Sequence, residues 1–243
     1  MARSGIYGAD LAHIHHAGFG GLARGAGPAL LRLLRRHRLR RGRLVDLACG
    51  SGIWARCAQQ AGLDVLGMDS SPAMIRLARR VAPGIPFVRA DLGQCDLPRC
   101  DAVTILGEGL NYETPGGARL DLARFFRKVA GALSTGGLLI CDVLLRGERG
   151  PDYRTWRVGA DWAVLVEAAG SSGGRHLTRR IITFRKRRSG YRRSEEIHRI
   201  RLFDLAEIKR ALTIAGFRCR TVSRYGRYRL ARGRRAFIAV RKP

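Results

Sequence analysis

Lysine and asparagine are almost missing from this 243-residue chain: lysine stands only at positions 128, 186, 209 and 242, and asparagine only at Asn111. Acids are also scarce, 19 against 46 lysines and arginines, for a formal net charge of +27. Abundant arginine, alanine, glycine and leucine with so little lysine and asparagine is the pattern that a GC-rich coding bias produces. Part of the charge therefore reflects composition rather than a polyanionic partner. That bias does not account for the shortage of acids. The basic runs 35–41 and 185–188 stay open as nucleic-acid contacts. Solvated surface is the favoured reading, because no aromatic side chains interleave the first run to stack on bases. No run of about 18 apolar residues is present for a membrane-spanning helix. The first residues lack the apolar stretch of a secretory signal, so a cytoplasmic location and no membrane partner are expected. The six cysteines show no Cys-x-x-Cys spacing, which argues against a zinc site or a disulfide frame and for reduced packing residues. His13 and His16 share a helical face but lack a third ligand, so no metal is expected.

What the chain does have is a series of short apolar strands, each ending on an acid. Residues 43–45 read as a strand leading into Asp46, a small-residue loop with Gly50 and Gly52, and a helix opening at Ile53. Glycines there let the backbone turn tightly and let a ligand approach peptide groups that a side chain would cover. A carboxylate at the strand's end, Asp46, favours a cationic or hydroxyl-bearing ligand over a pyrophosphate. Residues 64–68 form a second apolar run of the kind buried in parallel sheets, ending at Asp69. Ser70 and Ser71 follow, with Ser71 placed to cap the next helix and Pro72 at its first position. Asp69 lies 23 residues after Asp46, one strand–helix unit on. A carboxylate there can accept hydrogen bonds from both hydroxyls of a ribose. A third strand, 86–90, ends at Asp91 and Leu92; a fourth, 101–106, runs into Gly107, Glu108, Asn111 and Tyr112; a fifth covers 137–143. Three acids at three successive strand ends, with glycines after only the first, are hard to assemble from capping or solvated loop residues.

This acidic ladder resembles that of the class I S-adenosylmethionine-dependent methyltransferases. The whole chain is similar to their small-molecule branch, the glycine N-methyltransferase-like and sugar N-methyltransferase proteins. The resemblance implies an α/β fold, a Rossmann-like seven-stranded methyltransferase sheet with an N-terminal helical cap and an inserted antiparallel β lid. Within one domain, it places the cap at 1–42, the core at 43–146 and 204–243, and the lid at 147–203. It implies S-adenosylmethionine as cofactor and S-adenosylhomocysteine as product. Asp46, Ala48, Gly50 and Gly52 would form the first cofactor loop, Asp69 and Ser70 the second, with Gly107 after the fourth strand. In that family the acid at Asp91 accepts from the adenine amino group, and the residue after it, Leu92, offers its N–H to the ring. A tyrosine of the N-terminal segment lies near the sulfonium, and Tyr7 is the candidate. Arg24 is the candidate partner of the cofactor carboxylate, with an ordinary surface arginine as an equal alternative. Ala48 departs from the family, which usually has its first glycine there; alanine is small enough to keep the turn.

The candidate catalytic residues are Glu108, Asn111 and Tyr112, which follow the fourth strand where this fold brings the acceptor to the methyl group, and His198 from the insertion. Glu108 and His198 are candidate bases, with His16 behind them; a turn role is the alternative for Asn111. Ahead of the core, residues 29–35 have helical spacing with Pro28 near their start. Between 147 and 203 the period changes, and 162–167, 177–184 and 191–201 read as three antiparallel strands. Trp156 and Trp162 there have either a substrate-facing or a packing role. The expected reaction is methyl transfer to N or O of a small-molecule acceptor. An RNA methyltransferase using the arginine-rich surface, or a non-catalytic S-adenosylmethionine-binding protein, are the alternatives. The loop after the fourth strand has neither the Asn/Asp-Pro-Pro-aromatic motif of amino-directed DNA methyltransferases nor a cysteine for attack on a pyrimidine.

Overall fold

The computed structural model describes residues 6–113, 120–147 and 152–243. Two helices come first, α1 (Ala9–Phe19) and α2 (Gly21–Arg36). The second is longer than its sequence pattern predicts, because Pro28 lies inside it rather than at its start. Proline removes one hydrogen bond to the preceding turn. Ala26, Leu30, Leu33 and Leu34 nonetheless keep one buried face running past it. The chain then alternates: β1 (Arg43–Leu47), α3 (Ile53–Gln60), β2 (Asp64–Asp69), α4 (Pro72–Val81), β3 (Phe87–Arg89), β4 (Cys100–Ile105), α5 (Leu122–Ala132) and β5 (Leu133–Leu144). Helix α4 begins where it does because the Ser71 hydroxyl accepts the Met74 N–H at 3.1 Å. Asp121 caps α5 in the same way, accepting the Arg124 N–H at 3.0 Å.

Four strands follow as a separate antiparallel sheet: β6 (Tyr153–Val158), β7 (Trp162–Gly170), β8 (His176–Arg187) and β9 (Gly190–Arg201). The chain returns through α6 (Leu205–Ile214), β10 (Phe217–Val222), the hairpin β11 (Arg224–Tyr225) and β12 (Tyr228–Arg229), and β13 (Arg234–Arg241). The main sheet has the order β10-β13-β5-β4-β1-β2-β3; all its pairings are parallel except those of β13, which runs antiparallel to both neighbours. This is the seven-stranded, Rossmann-like sheet that the motif order implies. Its two faces carry separate cores, one built on Phe125, Phe126, Phe217 and Phe237, the other on Leu30, Leu34, Trp54 and Ile75. Strand order reverses between β1 and β4, and at such a switch point an open α/β sheet leaves a crevice beyond its strand ends.

The edge strand β6 escapes a pattern search because nearly all its side chains are exposed. Trp156 on it is 74% exposed, so it does not pack into a core. Trp162 is buried against Leu11 and Ile14 and ties the second sheet to α1. Among the described residues, no helix is long and apolar enough to cross a membrane.

Candidate active site

A cleft of about 850 Å³, counted out to its open mouth, lies beyond the carboxyl ends of β1 to β4. The loop after β1 forms one wall. Ala48, Gly50 and Gly52 on it have φ of 52°, 55° and 74°. Ala48 occupies a left-handed conformation that costs a non-glycine residue about 1 kcal/mol. It fits because Gly109 faces it: a Cβ there would lie 2.8 Å from the Cβ of Ala48. A Cβ on Gly50 would meet nothing within 4 Å, so the loop's peptide groups are open to the cleft at that point. Gly52 has another purpose. Its Cβ would press on Phe87 at 3.0 Å and Ala78 at 3.2 Å, so it allows close packing behind the loop and does not line the cleft.

Asp69 ends β2 and reaches the cleft wall. Its carboxylate accepts the Gly50 N–H at 2.9 Å and the Ser71 N–H at 2.8 Å, linking both loops. Burial raises its pKa, and those two bonds offset part of the rise. Asp91 holds its own turn by accepting the Gly93 N–H at 2.8 Å, with Ser70, Leu92 and Gly107 along the same wall. Met74, Ala90, Leu106 and Leu120 provide apolar surface between them. Asp46 is 2% exposed and lies behind the loop rather than in the cleft. It accepts the Thr104 hydroxyl at 2.7 Å, and Trp54 Nε1 donates to that hydroxyl at 3.1 Å. Its second oxygen is buried without a hydrogen-bond partner. Burial, opposed by the Thr104 bond and reinforced by Asp69, pushes its pKa up to about 7.

The far end of the cleft is polar, and it joins the N-terminal segment to the second sheet. The hydroxyls of Tyr7 and Tyr112 are 2.8 Å apart. Tyr7 N–H donates to Glu196 at 2.7 Å, and its carbonyl accepts from the Ser71 hydroxyl at 2.7 Å. The segment is thus pinned to both β9 and the start of α4. His198 is fully buried beside the two tyrosine rings. Its Nε2 lies 2.8 Å from Glu196, and its Nδ1 has no partner. His15 lines the same end, and burial together with nearby His16, His198 and Arg234 drives its pKa down to about 4.

Glu108 sits at the centre of a buried ion cluster. Arg179 donates to one of its oxygens at 3.0 and 3.1 Å, and Arg234 to the other. Burial would raise its pKa, but Arg234 and Arg179 outweigh that and hold it below the usual carboxylate value. Asp142 closes the cluster by accepting the N–H groups of Gly107 and Glu108 at 3.0 and 3.2 Å. These contacts correct the reading of Glu108 as a base: both oxygens are engaged and the group resists protonation. Asn111 is corrected too. Its side chain is fully buried, donates to the carbonyls of Leu144 and Arg201 at 2.9 and 2.6 Å, and accepts the Leu144 N–H at 2.9 Å. It pins β5 to β9 and is removed from the cleft. Arg24 does not reach the cleft either, since its guanidinium bends back to the His16 carbonyl at 3.4 Å. His16 is occupied with the Ser51 hydroxyl at 2.9 Å.

Arg179, Arg234, Asp142 and Glu196 are the residues that sequence reasoning missed. Asp142 carried a signal, an acid at the end of an apolar strand. Arg179 and Arg234 carried none, because nothing distinguishes them among so many arginines.

The strand order, the glycine loop and the acids at three strand ends coincide with a family match. Residues 44–137 match the family described as Methyltransferase domain. The chain is an S-adenosylmethionine-dependent methyltransferase. It is similar to the dTDP-3-amino-3,6-dideoxy-alpha-D-glucopyranose N,N-dimethyltransferase of Streptomyces fradiae, at 29% identity over 212 residues, 86% of this chain and 82% of that one. Its fold is similar to DesVI of Streptomyces venezuelae, with a TM-score of 0.79 at 21% identity over 97% of this chain and 100% of the other. The sugar N-methyltransferase KedS8 from Streptoalloteichus sp ATCC 53650 gives 0.77 at 23% identity, over 100% of this chain and 98% of the other. The cleft of this methyltransferase fits the cofactor chemically. It offers a carboxylate for the ribose diol, a second acid and a backbone amide for the adenine edge, apolar walls for the ring, and bare peptide surface at Gly50.

Proposed function

We propose that this methyltransferase transfers the methyl group to nitrogen or oxygen of a small-molecule acceptor, held beneath the second sheet acting as a lid over the core. The observation that carries this reading is the polar end of the cleft, lined by Tyr7, His15 and Tyr112, with buried His198 and the Glu108 cluster packed behind them. Such a polar end suits a compact polar molecule. The relatives named as aminosugar and sugar N-methyltransferases support an amine nitrogen as the acceptor atom.

S-adenosylmethionine supplies an electrophilic methyl on a sulfonium, so the protein's work is orientation, exclusion of water and proton handling. Asp69 holds the ribose, and Asp91 with the Leu92 amide reads the adenine. Tyr7 and Tyr112 place electron-rich oxygens and rings at the acceptor end, where a sulfonium is favoured. Glu196 accepts a hydrogen bond from His198 Nε2, which fixes the buried imidazole behind the Tyr7 and Tyr112 rings. The ion cluster keeps Gly107 and the strand end rigid while carrying no proton itself. The test is transfer of labelled methyl from S-adenosylmethionine to a panel of amino sugars, hydroxylated metabolites and RNA. Saturable label in an amine-bearing small molecule supports the proposal; label only in RNA rejects it.

A further inference from the structure

A second cleft, of about 480 Å³ counted to its mouth, lies between α1, α4 and β8 and shares no lining residue with the first. Ala12 and Leu77 contribute apolar surface to it, and its polar groups are Arg76, Arg80, Arg185 and His13. Arg76 and Arg80 stand four residues apart on α4, so their guanidiniums project from one face, an arrangement that destabilises a helix unless an anion offsets it. Neither has a carboxylate within ion-pair distance among the described residues. Arg185 reaches in from β8. Its Nε is buried with no hydrogen-bond partner, and its other contact is a long one, 3.6 Å to Asp10. Asp10 is already hydrogen-bonded by Arg187, Arg192 and Ser194, so it has little left to offer Arg185. The acid facing the remaining rim is Asp161, 3.3 Å from His13 Nε2.

We propose that this cleft binds a phosphorylated small molecule, with a phosphomonoester or pyrophosphate group seated among Arg76, Arg80 and Arg185. Guanidinium forks match phosphate oxygens two at a time, and three of them converging from two elements suit a multiply charged phosphate better than a single carboxylate. An apolar wall beside the cations accommodates the organic part of such a ligand. Bound there, it would bridge the cap helix, the helix after β2 and the second sheet.

Calorimetric titration of inorganic pyrophosphate at constant ionic strength, into protein saturated with S-adenosylhomocysteine, tests the site. The expected result is saturable binding that weakens about tenfold or more in Arg76→Ala/Arg80→Ala. Both positions are exposed on α4 and lie outside the cofactor cleft, and an unchanged response to S-adenosylhomocysteine will show that the variant is folded. The proposal is overturned if pyrophosphate does not saturate the wild type, or if it binds the double variant equally well. It is also overturned if a single-stranded oligonucleotide binds through these arginines while pyrophosphate does not.

Discussion

Replacing Glu108 by glutamine should unfold this enzyme more readily than it should damage its chemistry. The Glu108 side chain is 7% exposed and its two partners, Arg179 and Arg234, are 12% and 17% exposed. Glutamine preserves the shape but presents an amide N–H₂ toward a guanidinium that also donates, and it leaves two buried cations with only Asp142 nearby, 3.5 Å from Arg234. Removing one member of a buried ionic group costs about 3–5 kcal/mol. That is a large share of the roughly 5–15 kcal/mol that holds a domain folded. For a chain of this size it corresponds to a fall in Tm of roughly 6–20 °C. The sign with pH follows from the depressed pKa of Glu108. Its contribution is fully present above the ordinary glutamate value, near ~4.3, and is lost as pH falls through the lower folded value. The gap between wild type and variant should therefore close only below about pH 4. Denaturant unfolding at pH 7, repeated in Arg179→Met and in the double variant, provides the assay. Coupling of roughly 1–3 kcal/mol is expected between the two positions. A variant melting with the wild type, or a coupling indistinguishable from zero, would refute the ionic-pin argument. Intact stability with lost turnover would return Glu108 to the chemistry.

Asp69→Ala should weaken S-adenosylmethionine binding by about 1–3 kcal/mol through loss of the ribose contacts, and calorimetry showing equal affinity would remove that assignment. Asn111→Ala should cost about 2–4 kcal/mol of stability, since one substitution leaves buried groups on two strands unpaired. Turnover per folded molecule, measured at low temperature, should stay near wild type; a selective fall would reinstate it as an acceptor contact. Asp46 has a folded pKa raised to about 7. It favours the native state when protonated, and stability should decline as pH rises from the ordinary carboxylate value near ~4 toward that value. Asp46→Asn should flatten this slope in a series of melts between pH 4 and 8, and an unchanged slope would place the effect on another group.

The sheet, its strand ends and one wall of the cleft were legible in the residues themselves. Short apolar runs closing on Asp46 and Asp69 read as buried parallel strands and are so, the run before Asp91 forms an edge strand of the sheet, and the glycines mark where backbone must turn or be approached. Ser71-Pro72 announced a helix start by local chemistry alone. The acceptor end was not legible, because its residues come from the N-terminal segment, the end of β4, the second sheet and β13, and no local rule relates them. Arg179 and Arg234 look like any of the chain's other arginines until folding removes them from water and sets them on one carboxylate. Asn111 and Glu108 show the converse: each stood where this fold brings its acceptor, but desolvation demanded partners, and the partners it found made one a pin between strands and the other an ion-pair hub. Local sequence determines which segments become strands, turns and capped helices, since those depend on neighbours along the chain. Burial and long-range pairing decide which polar groups remain free to act, and that depends on what the fold packs against them.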